Sequence, residues 1–211
     1  MTLIECVPMP PLSAEEIELI MIMWLRDNIP EHLIQPERLT LERIEQVLVH
    51  SLDYSIQLVE SLPQGISAQT DFSDRIIMVT SQLYEKLEHG DGYALFTLAH
   101  EIAHILMHAS YVLENLSLAA RSVGGPAEKI KTYMSSEWQA EHGGGAILMP
   151  MTSFVPFIEH LRKKGYTKQD VIEIAAEKYG VTEKAAKARI NAISKSNLSK
   201  LRLLILTKTA R

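Results

Sequence analysis

The chain has 211 residues, of which 21 are Lys or Arg and 26 are Asp or Glu, giving a formal charge of −5 at neutral pH. At 46% hydrophobic and 22% charged it can bury a real core and does not have the composition of a disordered chain. Its lone cysteine, Cys6, excludes an intrachain disulfide and a cysteine-built zinc knuckle. No apolar stretch approaches the roughly 18 residues of a spanning helix. The opening MTLIECVPMPPL lacks the basic leader and apolar run of an export signal. A soluble cytoplasmic protein without membrane contact is therefore expected.

Along the chain, Ser13-Ala-Glu-Glu16 forms a capping box that opens a helix, with Ile17, Ile20, Met21, Trp24 and Leu25 on its apolar face. A second helix is predicted over about 40–50. Residues 54–80 read as two or three short antiparallel strands, with turns at Pro63–Gly65 and at the DFSD of 71–74. An edge strand beside a cleft can hold a peptide by main-chain hydrogen bonds. A short helix is predicted over 80–89, interrupted by Gly90-Asp91-Gly92, and another over about 92–109. The next should begin near Ser135 or Ser136 and end by Pro150. Two more follow Pro156 and Gly165, and one opens at Thr182. The terminal LRLLIL of 201–206 fits a short strand or a docked tail. The class is α+β: mainly helical, with a small antiparallel sheet and a helical C-terminal region. Three segments are expected: 1–53 helical, 54–150 the core, and 151–211 packed on it.

Charge is unevenly placed along these segments. Residues 1–150 carry 8 basic and 21 acidic side chains, whereas residues 151–211 carry 13 and 5. The basic part can meet nucleic acid, an acidic partner, or its own acidic first half, and basic residues alone do not make a nucleic-acid site. Docking on the chain's own acidic part, or simple solvation, is the expected reading.

The chemistry centres on FTLAHEIAHILMH at 96–108, which contains His100-Glu101-Ile102-Ala103-His104, an H-E-x-x-H motif. A helix advances 100° per residue, so His100 and His104 stand one above the other and can meet one zinc ion. Glu101 lies at the rim of that face, placed to act as general base on a water. Apolar Leu98, Ile102, Ala103, Ile105 and Leu106 bury the rest of the helix. Zinc requires a third protein ligand and an open position. The H-E-x-x-H-x-x-G-x-x-H arrangement is absent, since Met107 and Ser110 occupy its last two fixed positions. His108 is three helical turns into the series and suits a core, outer or cleft-lining place. Glu137 and Glu141, four apart in SSEWQAE, are the acid candidates. One can ligate zinc while the other accepts a ligand's free ring N–H, and spacing alone does not choose between them. Tyr111, Tyr133 and His142 are candidates for a donor to a developing oxyanion.

Together, FTLAHEIAHILMH and EWQAEHGGGAILMP resemble the ImmA/IrrE family of zinc metallopeptidases. The resemblance implies a zincin-like domain of gluzincin type. Glu137 then stands at the third-ligand position, Glu141 at an outer position usually held by Asn or Asp, and His108 at a histidine that commonly closes the first motif. The run Gly143-Gly144-Gly145 departs from the family pattern; it can mark a bend or let backbones approach closely. Family likeness further implies a protein substrate, such as a transcriptional repressor or other regulator. A zinc endopeptidase with Glu101 as base is thus the leading expectation. A zinc-containing interaction module without turnover is the alternative. A DNA-binding regulator is the weakest reading; it would use the helix-turn-helix outline around Gly180-Val181-Thr182.

Overall fold

The computed structural model describes residues 9–63, 65–115 and 134–195. Tyr133 and the LRLLIL segment lie outside these. The described chain runs α1 (Ala14–Asn28), a 3-10 turn (Pro30–Leu33), α2 (Leu41–Val47, continued by a π turn over Leu48–Leu52) and then β1 (Ser55–Val59). Next come β2 (Ala68–Asp71), β3 (Ile76–Thr80), α3 (Ser81–Glu88) and α4 (Gly92–Glu114). The C-terminal part is α5 (Ser136–Leu148), α6 (Met151–Lys163), α7 (Lys168–Tyr179) and α8 (Glu183–Lys195). The fold is α+β, mainly helical with one small sheet, in a zincin-like arrangement. Among the described residues, no helix is long and apolar enough to cross a membrane.

Local chemistry accounts for most element boundaries. The Ser13–Glu16 capping box is formed in both directions, with the Glu16 N–H donating to Ser13 Oγ and the Ser13 N–H to Glu16 Oε2. Asp91 caps α4 by accepting from the N–H groups of Tyr93 and Ala94. The β2–β3 turn is held by Asp71, whose carboxylate accepts from the N–H groups of Ser73 and Asp74.

Two expectations need correction. The sheet is mixed, not wholly antiparallel, with strand order β1-β3-β2. The tight turn fixes β2 against β3 as an antiparallel pair, but the connection from β1 is long enough for β1 to skip β2 and pair parallel with β3. Second, Pro156 does not precede a helix; it lies inside α6, which starts at Met151. The Pro150 carbonyl accepts the N–H groups of Ser153 and Phe154, and buried Met151 and Phe154 tie this early turn to the core. Such packing outweighs the one ladder bond a proline removes. The buried face of α7 is Val171, Ile172, Ala175, Ala176 and Tyr179.

One hydrophobic cluster runs from Ile17 on α1 to Ile190 on α8. The C-terminal helices therefore share the core of α4 and α5. A buried ion pair reinforces this: Arg189 Nη2 lies 2.7 Å from both Glu18 oxygens, with Arg189 6% and Glu18 1% exposed.

His32 ties the 3-10 turn to the end of α5. Its Nε2–H donates to the carbonyls of Ile147 and Leu148 at 3.0 and 3.1 Å, while Nδ1 has no hydrogen-bond partner among the described residues. Burial pushes its pKa down to about 4. The unfolded chain then takes up this proton near the ordinary value of about 6.5, before the folded one does. Stability should fall as pH drops from about 6.5 to 4, by up to about 3 kcal/mol from this ring. Urea unfolding at the two ends of that window, compared with His32→Gln, measures the effect; an unchanged slope in the variant would refute it.

Candidate metal centre

α4 carries His100, Glu101, His104 and His108; α5 carries Glu137 and Gln139. Folding brings the two remote segments together. His100 Nε2 lies 3.3 Å from Glu137 Oε2, His104 Nε2 lies 3.4 Å from Glu137 Oε1, and the two imidazole Nε2 atoms are 3.0 Å apart. Ligands on a tetrahedral zinc, each about 2.0–2.1 Å from the ion, stand roughly 3.3 Å from one another. Two nitrogens and a carboxylate oxygen at this spacing fit such an ion. Among the described residues, His100, His104 and Glu137 are the group arranged to hold a metal.

The hydrogen bonds behind the cluster fix where the protons sit. Gln139 Nε2–H donates to the Pro10 carbonyl at 2.9 Å, so its Oε1 accepts from His108 Nε2–H at 2.8 Å. His108 Nδ1 is then bare and accepts from His104 Nδ1–H at 3.0 Å. That leaves the His104 Nε2 lone pair facing His100 and Glu137, as metal ligation requires. His108 is 1% exposed, and burial, helped by the nearby His104, pushes its pKa down to about 4, consistent with a neutral ring. Burial alone would lower His100. The hydrogen bond to Glu137 and the charges of Glu101, Glu137 and Glu141 overcome this and raise it. Conversely, the hydrogen bond from His100, with the His104 ring beside it, holds the Glu137 carboxyl far below the usual carboxylate range. The three side chains thus make an electron-rich focus for a cation.

Glu101 is 9% exposed and its carboxylate accepts a hydrogen bond from Thr70 Oγ1–H at 2.8 Å. Thr70 sits on β2, the edge strand of the sheet. A cleft of about 340 Å³ opens here, bordered by residues 65–70, by Tyr93, Phe96 and Thr97, and by His100, Glu101, His104 and Glu137. Phe96 lies one turn before His100 and was findable by helical arithmetic; Thr70 carried no signal beyond strand alternation.

The other expected residues lie elsewhere. Glu141 is exposed, makes no hydrogen bond to either imidazole among the described residues, and acts on His100 through charge alone. One turn beyond Glu137, it has moved along the helix past the cluster, and His108 already takes the ring N–H of His104. His142 donates to the Trp138 carbonyl at 3.1 Å, and its ring packs on the Trp138 indole with centroids 4.1 Å apart. It borders a neighbouring groove instead of the metal cleft. Half-buried Tyr111 is in the last turns of α4 and does not border the cleft.

The glycine run sets the distance between the two ligand helices. A Cβ on Gly144 would lie 3.1 Å from the His100 nitrogen, and one on Gly143 would lie 2.7 Å from Ala103 Cβ. Gly145 would meet only Arg189 Cδ, at 3.8 Å. Gly143→Ala should therefore cost about 1–3 kcal/mol through overpacking against a short, unyielding side chain. Gly145→Ala should be neutral, or stabilising by up to about 1 kcal/mol from helix propensity. Denaturant unfolding of the two variants checks the contrast, and equal effects would contradict it.

Residues 53–191 match the peptidase M78 family, described as the IrrE N-terminal-like domain. The chain belongs to this family. The match spans both ligand helices of the IrrE-like chain, its sheet and most of α8. No curated protein matches it in sequence. Among solved structures it is similar to a Mycobacterium tuberculosis transcriptional regulator, with 16% identity and a TM-score of 0.53 over 89% of this chain and 54% of that one. The IrrE-like chain spans about half the length of that regulator, and the likeness concerns the fold alone.

Proposed function

We propose that this IrrE-like protein is a zinc-dependent endopeptidase that cuts a specific regulatory protein in the cytoplasm, with Glu101 as general base. The observation that carries the reading is the convergence of His100, His104 and Glu137 under a cleft whose one wall is an edge strand and whose floor holds Glu101. His100, His104 and Glu137 would hold the ion. Bound zinc supplies a Lewis acid and a water of lowered pKa.

The protein's own part is positioning and proton transfer. The outer edge of β2, unpaired among the described residues, offers main-chain N–H and C=O groups to an extended peptide. Thr70 holds the Glu101 carboxylate toward the cleft through one oxygen, leaving the other for the proton of the attacking water. Glu101 then delivers that proton to the leaving amine, so one group serves as base and acid. His108 and Gln139 keep His104 in the tautomer that presents Nε2. A regulatory substrate is supported by the family resemblance.

Co-purification of the partner, followed by incubation with the zinc-loaded protein, tests this reading. Cleavage should stop with a chelator and return on adding zinc. A partner that binds and stays intact in every condition would leave a non-catalytic interaction module as the better account.

A further inference from the structure

A second cavity of about 390 Å³ lies beside the cleft. Tyr93 and Phe96 border both spaces, which places the two next to each other at the start of α4. The second space lies between α4, α5 and α8. Trp138 forms one wall, next in sequence to Glu137. Ala185, Ala188 and Ala192 form another, at the i, i+3 and i+7 positions of α8 that share a helix face. These three small side chains leave room opposite two aromatic rings. Gly145 adds a position with no side chain at all.

Polar groups here offer little to a charged occupant. Arg189 borders the space, but its guanidinium is bound to Glu18, the Met149 carbonyl accepts from its Nε–H, and the stem is what approaches Gly145. Exposed Glu141 and exposed Lys184 stand at the rim with opposite charges, so neither sign of charge is favoured there. Apolar walls, a size within the usual range for a binding pocket and a place directly beside the cleft suit a large apolar side chain.

We propose that this groove selects the substrate by a large apolar residue, of the Leu, Met or Phe kind, close to the scissile bond. The inference rests on the peptidase reading and names the substrate class for that same site. It also gives α8 a second duty: besides covering the core, it supplies the alanine wall that fixes which side chain enters.

Short peptide hydroxamates bound to the zinc-loaded full chain provide the test, because the hydroxamate reports the metal without needing turnover. The probes carry Ala, Asp, Leu or Phe at successive positions, and acetohydroxamate serves as the version without a side chain. At one position, Leu or Phe should bind about tenfold to a hundredfold tighter than Ala, and Asp no better than Ala. Ala188→Trp, an exposed position whose new side chain fills the groove, should erase that preference. Ala192→Leu should do the same from a second position, with unchanged thermal unfolding showing that the fold is intact. Equal binding of Ala and Phe probes at every position overturns the proposal, as does a preference that survives both substitutions. Failure of acetohydroxamate to bind overturns the metal reading and this inference with it; binding of acetohydroxamate without side-chain preference overturns this inference alone.

Discussion

Glu101→Gln should lower peptide hydrolysis by about two to four orders of magnitude while the protein keeps its zinc. Glutamine has the same shape, and its amide oxygen can still accept the hydrogen bond that Thr70 donates to Glu101 at 2.8 Å. What it lacks is a basic oxygen to take a proton from water and return it to the leaving amine. The ligand set of His100, His104 and Glu137 is untouched, so metal content by atomic absorption should match that of the parent chain. Residual hydrolysis near the parent rate would remove Glu101 from the chemistry. Loss of zinc together with activity would show that Glu101 supports the site instead of performing the proton transfer.

Glu18→Ala should be among the most destabilising single changes, at about 3–5 kcal/mol. Glu18 accepts from Arg189 through both oxygens and also from the Met151 N–H at 3.0 Å. Removing it strands a guanidinium that is 6% exposed. The double change Glu18→Met with Arg189→Met should recover much of the loss, because it removes both charges and keeps the volume apolar. Urea unfolding of the two variants measures this, and a single variant no less stable than the double would contradict it. Since Arg189 is on α8, the single change should also disturb the groove between α8 and Trp138.

The candidate metal ligands show how far one sequence can be read. His100 and His104 follow from helical geometry, which depends on nothing beyond the helix. The same applies to the Ser13–Glu16 box and to the start of α4 behind Asp91. Glu137 and Glu141 are equivalent by spacing, and family resemblance favoured Glu137; only the docking of α5 on α4 shows which carboxylate meets the imidazoles. His108 had three readings open, and its bond to Gln139 selects one. Pro156 misled because the proline's local penalty is visible in sequence, whereas the burial of Met151 and Phe154 that offsets it is not.

By itself, then, the sequence determined most of the elements and the helix face that His100 and His104 share, because those rest on dihedral preference, capping and periodicity within a dozen residues. Tertiary structure alone decided the parallel β1–β3 ladder, the approach of Gly144 to the His100 backbone, the Glu18–Arg189 pair and the hold of Thr70 on Glu101. Each of these joins atoms far apart along the chain, and their distance is set by how the whole core packs, a collective quantity that no local pattern encodes.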